Sequence, residues 1–333
     1  MPSRRRISLF AVLCAAVVTI GAVYVGTAVQ RDRSARSALS AIAGDAPEGP
    51  HLVFLRTQGD AYRVVSVASL DASSSQVAPA GLECQRVHVA AGSGLCVGLG
   101  SLGGAAILDS HLRPVRELAI EGLASRARVS ADGKYGAMTT FVRGHSYSEV
   151  GFSTLTLLVD IARQTVLSDL ESFKLIRDGA PYEPVDRNYW GVTFMPHDSD
   201  RFYATVGTSA TTYLVSGRVS DRTLRVMREN VECPSLSPDG SRLVFKKRFN
   251  SGLAGIYWRL FVLDLASVTE RPLAETHSVD DQVEWLDATH IIYALPDQGP
   301  PTTLQPDLWS LDVDSQAAPV RIRTEAMSPA VVR

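Results

Sequence analysis

From residue 51 to the C-terminus, short runs rich in Val, Ile, Leu, Thr and Tyr are bounded by Gly and Asp. That pattern predicts strands and tight turns rather than helices. Three ten-residue segments align without gaps: HVAAGSGLCV (88–97), VSADGKYGAM (129–138) and LSPDGSRLVF (236–245). Each reads as the end of one strand, a turn closed by glycine, and a second apolar strand. In Ser237-Pro238-Asp239-Gly240 the turn chemistry is explicit. Proline presets φ at the first corner, aspartate tolerates the second, and glycine takes the positive φ that follows. FMPHDSDRFYAT (194–205) and WLDATHIIYAL (285–295) keep the layout with altered turns.

The spacing carries the architecture. Gly92 to Gly133 is 41 residues and Asp200 to Gly240 is 40, about one four-stranded propeller blade. After each hairpin comes a β-rich strand ending near an aspartate: GGAAILDS, STLTLLVDIA, TTYLVSGRVSD, YWRLFVLDLA and PDLWSLDVD. A sixth copy, AYRVVSVASLD, stands at 61–71 without a complete hairpin before it. Six such strands predict an all-β, six-bladed β-propeller over 51–333. The first blade lacks its inner strand, which MSPAVVR (327–333) can supply, closing the ring with both chain ends. A β-sandwich would not repeat one turn at one place every 40 residues.

The first fifty residues differ. Arg4, Arg5 and Arg6 precede an uncharged run, Ile7–Val29. As a helix it spans roughly 35 Å, enough for a bilayer core and longer than the apolar part of a cleavable signal. The expectation is a cytoplasmic arginine cluster and a retained single transmembrane helix over 1–29. A flexible linker (30–50) and an extracytoplasmic propeller follow. Apolar residues at 45% and charged residues at 20% of the 333 exclude general disorder, and a net charge of −2 argues against a nucleic-acid partner.

Ser237-Pro238-Asp239-Gly240 followed by RLVFKKR resembles the repeat unit of TolB-type, WD40-like propellers, with VSADGKYGAMTTF as a second copy. The resemblance covers about residues 51–333. SRARVSADG, FVRGHSYS, DRNYWGVTF, ECPSLSPDG and DDQVEW also resemble membrane-anchored TolB-like proteins of actinobacteria. The TolB family implies an envelope propeller that binds a lipoprotein and other Tol components. This chain departs in lacking the preceding α/β domain and in its retained-looking N-terminus, which leaves the general idea of an envelope binding platform.

Propeller topology places the loops leading into the innermost strands on the same face as the loops joining second and third strands. The first set carries Arg126, Arg128, Asp186, Asn188, Trp190, Glu232, Asp280, Asp281 and Gln282; the second carries Arg143, His145, Tyr147 and Lys246. These residues are expected to ring one mouth of the channel. Mixed charge there suits a polar partner, namely an envelope protein, peptide or glycan. The expectation is therefore a recognition module without catalysis, cofactor or metal. The alternative is a propeller hydrolase or lactonase using acids and a metal at that mouth.

Other chemistry tests poorly. Gly144-His145-Ser146-Tyr147-Ser148 looks like a nucleophile elbow, but EVGFSTLTLLVD after it reads as loop and strand where a helix is required. The seven histidines form no pair spaced for zinc. Asp280, Asp281, Glu232 and Asp186 could hold calcium, but the nearby arginines favour ion pairing. The repeat register sets Cys84 and Cys96 several residues apart across one hairpin, beyond the roughly 7 Å reach of a disulfide unless strand entry is irregular. A bridge is not expected, and Cys233 reads as a packed thiol.

Overall fold

In the computed structural model, residues 4–41, 49–70, 76–100, 103–142, 153–208, 211–252, 255–296 and 305–333 are described. One helix precedes six sheets arranged as consecutive blades. The second blade is β4 (Arg86–Ala90), β5 (Ser93–Val97), β6 (Ala105–Leu108) and β7 (Pro114–Leu118). The third is β8 (Leu123–Val129), β9 (Tyr135–Val142), β10 (Ser153–Asp160) and β11 (Thr165–Asp169). The fourth contains β14 (Asn188–Met195), β15 (Asp198–Thr208), β16 (Thr211–Arg218) and β17 (Thr223–Glu229). The fifth is β18 (Glu232–Leu236), β19 (Arg242–Asn250), β20 (Ile256–Asp264) and β21 (Glu270–Pro272). The sixth is β22 (Glu284–Trp285), β23 (His290–Pro296), β24 (Pro306–Asp312) and β25 (Val320–Arg323).

The first blade joins both ends of the chain. β1 (His51–Arg56), β2 (Val64–Ser69) and β3 (Val77–Glu83) take the C-terminal β26 (Ala326–Val332) as their innermost strand. β26 pairs antiparallel with β1, Leu52 opposite Val331 and Arg56 opposite Ala326. The six-bladed ring and its closure agree with the repeat count.

The turn chemistry holds in detail. Gly240 has φ 75° and its N–H donates to the Ser237 carbonyl at 2.8 Å; Gly133 has φ 69° and donates to Ser130 at 2.8 Å. Asp239 accepts from the Ser237 hydroxyl at 2.5 Å and the Ser241 N–H at 3.1 Å. Those hydrogen bonds hold its carboxyl down at about 2. Asp132, its counterpart, also accepts from Ser199 at 2.7 Å, tying the turn of the third blade to the fourth.

The core lies between blades. Leu95, Val97 and Ile107 meet Val129, Met138 and Val159 between the second and third. Tyr189, Phe194 and Phe202 meet Leu158 and Ala137 between the third and fourth. Leu52 and Phe54 meet Ile292 and Leu308 where the sixth blade returns to the first. Alternate side chains of each strand face opposite neighbours, so both faces of every blade are apolar.

Four expectations change. The helix runs from Arg4 through Ala41, so the linker expected over 30–50 is helical as far as 41. Ala, Arg and Gln favour helix there, and the first breakers are Gly44 and Pro47. Among the described residues no helix is long and apolar enough to cross a membrane, so the expected transmembrane helix is not supported.

The sequence of 171–189 also reads as an insert lengthening the fourth blade toward the mouth, but its strands lie at the blade's outer edge. Lys174–Arg177 forms β12, which pairs in parallel with β17, and Ala180–Pro181 forms β13 beside it. They extend the outer edge of the fourth blade to six strands. Finally, Cys84 and Cys96 do form a disulfide, with Cα atoms 5.6 Å apart. In the ladder Cys96 faces Val87. The chain reaches it because the lead into β4 is irregular: the Cys84 N–H donates back to Arg63 at 3.0 Å, while Gln85 donates to Val97 at 2.9 Å. Gly98, at φ 72°, allows this, since a Cβ there would sit 2.5 Å from Gln85.

Candidate functional site at the two ends of the channel

The inner strands run in the same direction, so their first residues lie at one mouth of the channel and their last at the other. At the first mouth the charged side chains do converge. Arg126 of the third blade reaches Asp280, ahead of the sixth, at 3.6 Å, and Lys246 of the fifth pairs with the same carboxylate. Lys246 is buried, its ammonium 5.0 Å from the centre of the Trp258 ring. Trp258 donates to Glu232 at 3.1 Å, and Arg248 lies 3.8 Å from that carboxylate. Asp281 accepts from the Ala294 N–H at 3.1 Å. Arg86 donates to the Ser125 carbonyl at 2.8 Å, linking second and third blades.

Burial sets the electrostatics. The Asp280 side chain is 62% exposed; the partial loss of water at its carboxyl would raise it, but Lys246 and Arg126 offset this and hold the group below its ordinary value. Glu232 goes the other way: burial pushes it up despite Lys246 and Arg248. The third and sixth blades oppose each other across a six-bladed ring, so the Arg126 to Asp280 contact spans the mouth. The cluster is an internally paired plug.

A second cluster lies deeper. Arg128 pairs with Glu284 of the sixth blade, and its guanidinium also donates to the Val283 carbonyl at 3.0 Å. His88 Nε2 is 3.0 Å from Arg128 Nη1 and 3.3 Å from Glu284 Oε2, while its Nδ1 accepts from the Val129 N–H at 3.1 Å. That acceptor role places the imidazole proton, when the ring is neutral, on Nε2 toward Glu284. Burial opposes charge on Glu284, yet Arg128 and His88 hold it ionised down to about 2. Burial and Arg128 together push His88 below its ordinary value.

Beyond this cluster the channel opens. A cavity of about 430 Å³ is bounded by the last residues of all six inner strands, among them Ala90, Ser130, Thr193, Ser237, Trp285 and Val332. His88, Arg128 and Glu284 form its floor, and His197 and Arg333 stand in its wall. The Arg128 Nε is buried without a hydrogen-bond partner among the described residues. This cavity lies on the hairpin-turn face, opposite the mouth expected from the sequence.

The sequence-derived residues therefore divide. Arg126, Glu232, Lys246, Asp280 and Asp281 gather at the first mouth. Gln282 is buried and donates to the Val192 and Pro234 carbonyls at 3.0 and 2.9 Å, clamping inner strands together. Asn188 accepts from the Thr154 N–H at 2.7 Å and Asp186 accepts from the Thr208 hydroxyl, so both brace the start of the fourth blade. Trp190 packs its ring edge against Gly207. Arg143, His145 and Tyr147 lie outside the described residues. Only Arg128 touches the cavity. His88 and Glu284 were missed, although the signal existed: His88 occupies a position filled by Val129 and Leu236 in the aligned repeats. Among the described residues no group of three or more His, Cys, Asp or Glu side chains could hold a metal.

Five four-stranded blades, one blade of six strands, and closure of the first blade by β26 define a six-bladed β-propeller. Among solved structures the chain is similar to TolB from Acinetobacter baumannii, with TM-score 0.61 and 14% identity over 89% of this chain and 69% of that one. It also matches a puromycin-hydrolyzing peptidase of Mycobacterium tuberculosis (TM-score 0.47, 14% identity, 82% of this chain and 44% of that chain). A third match is the β-propeller domain of the trilobed protease from Pyrococcus furiosus (TM-score 0.40, 13% identity, 74% and 71%). Likeness at such identities establishes the fold alone. No protein-family model and no curated protein matches the sequence.

Proposed function

We propose that this propeller is a recognition module without catalysis, which receives a polar segment of an envelope protein, peptide or glycan at the hairpin-turn end of its channel. The observation that carries the reading is the cavity of about 430 Å³ walled by all six inner strands. Concave sites with a few convergent polar groups are where partners bind rigid scaffolds. His88, Arg128 and Glu284 supply donors and acceptors on its floor, whereas the charges at the opposite mouth are occupied with one another.

Location belongs to the same proposal. The Cys84–Cys96 disulfide suits an oxidising compartment, and the uncharged run Ile7–Val29 suits attachment of the N-terminus to a membrane. The propeller then works outside the cytoplasm, and carbonate extraction of intact cells tests the attachment.

In-cell cross-linking of the full chain distinguishes the two ends. His197→Trp narrows the cavity and should abolish capture of the partner, whereas Asp281→Ala, at the other mouth, should leave it intact. Capture unaffected by His197→Trp, or lost only with Asp281→Ala, removes the cavity as the site. The metal-dependent hydrolase reading is tested by metal analysis of purified protein. Bound metal, with melting raised by calcium or zinc, would favour it over the binding reading.

A further inference from the structure

A second cavity, of about 420 Å³, lies where the ring closes, between β25 of the sixth blade and the first blade. Its wall includes three arginines, Arg56, Arg321 and Arg323, with Glu325 and the buried ring of Phe54. Two of the three are matched: Arg56 with Glu325 at 3.4 Å, and Arg321 with Asp307 at 3.1 Å. Asp307 and Glu325 are themselves fixed, since the Glu325 N–H donates to Asp307 at 2.8 Å. Arg323 has no carboxylate partner among the described residues. Its guanidinium carbon lies 5.0 Å from the centre of the Phe54 ring, and the residue is half-buried.

We propose that this groove is a binding site for a phosphate-type oxyanion, gripped by Arg323 with Arg56 beside it. Three guanidinium groups against two carboxylates leave one positive charge uncompensated in the groove wall. A planar guanidinium offers two parallel N–H donors, which match two oxygens of one anion. The contact with the Phe54 ring restrains the guanidinium before any ligand arrives, reducing the ordering cost of binding. Burial and the repulsion of Arg56 both weaken the proton affinity of Arg323, a penalty that a bound anion would relieve. The site is separate from the channel and does not depend on the function proposed for it.

Calorimetric titration of the full chain in mild detergent with inorganic phosphate, at ionic strength fixed with sodium chloride, should show one saturable site. Arg323→Gln should weaken it about tenfold or more, the scale of a lost charge-assisted pair, and Arg323→Lys by less. Without phosphate, Arg323→Gln should melt no lower than wild type, because an unpaired charge beside Arg56 has been removed; this separates loss of binding from loss of fold. The same titration with a water-soluble short-chain phosphatidylglycerol distinguishes the sources: saturable binding weakened by Arg323→Gln assigns the phosphate to a lipid headgroup, and binding of inorganic phosphate alone assigns it to a soluble ligand. Absence of saturable phosphate binding, or equal affinity in wild type and Arg323→Gln, overturns the proposal.

Discussion

Glu284→Gln should destabilise the propeller by about 3–5 kcal/mol, the usual cost of removing one partner of a buried ion pair. The side chain is nearly isosteric, so packing is preserved and charge is what changes. Arg128 would keep its charge in the channel with no carboxylate to meet it, and His88 and Arg128 would be left to share one neutral amide oxygen. Chemical denaturation of wild type and variant measures the difference. The double variant Arg128→Met, Glu284→Leu should recover much of the loss, since an apolar pair carries no desolvation penalty. A single variant within about 1 kcal/mol of wild type would show that the pair is not bearing charge as described.

The same cluster predicts the pH dependence. Glu284 is depressed from 4.5 to about 2 when folded, so its contribution is complete above 4.5 and lost as pH falls toward 2. For a buried group that is on the order of 3 kcal/mol. His88 is also depressed, from 6.5, so the unfolded chain takes up its proton first and stability starts to fall as pH drops below 6.5. Melting temperature should therefore be flat above about 7 and decline in two stages below it. His88→Asn should flatten the upper stage alone; a variant that still declines from 6.5 would place the responsible group elsewhere.

Loss of the Cys84–Cys96 disulfide should cost about 3 kcal/mol. The bridged residues are 12 apart, and closing a loop of that size in the unfolded chain accounts for roughly this amount in the chain-entropy treatment. For a domain of this size that corresponds to roughly 5–10 °C in melting temperature. Reductant should lower the melting temperature of wild type and leave the Cys84→Ala, Cys96→Ala double variant unmoved. Equal sensitivity of both to reductant would disprove the assignment.

The architecture was legible because its signals are local. Ser237 to Gly240 specify their turn within four residues, and six aspartate-terminated strands count the blades without knowledge of what they touch. What escaped was non-local. The bridge from Cys84 depends on how Gly98 lets Gln85 pass close by, a contact that register arithmetic within one hairpin does not contain. β12 was hidden because its partner, β17, lies about fifty residues ahead and pairs in parallel. The charges at the first mouth were recognised as a group, but topology alone does not say that Arg126 and Lys246 both spend themselves on Asp280. Nor does it say that the open volume lies at the other end. Arg128 and Glu284, charged residues inside inner strands, were the residues to weigh more heavily.

The pairing of β26 with β1 also sets an order of events in the life of the chain. Residues 51–56 are made well before their partner, which lies about 270 residues further along the chain. Until then β1 presents Leu52, Val53, Phe54 and Leu55 on an unpaired edge, the kind of surface that invites association with other chains. Locally built blades can form as they emerge, but the ring cannot shut until residues 326–332 have been made. A chain that stalls short of residue 326 therefore keeps an adhesive edge and a gap between its first and sixth blades. Such a product is one that quality-control proteases can tell from the finished protein.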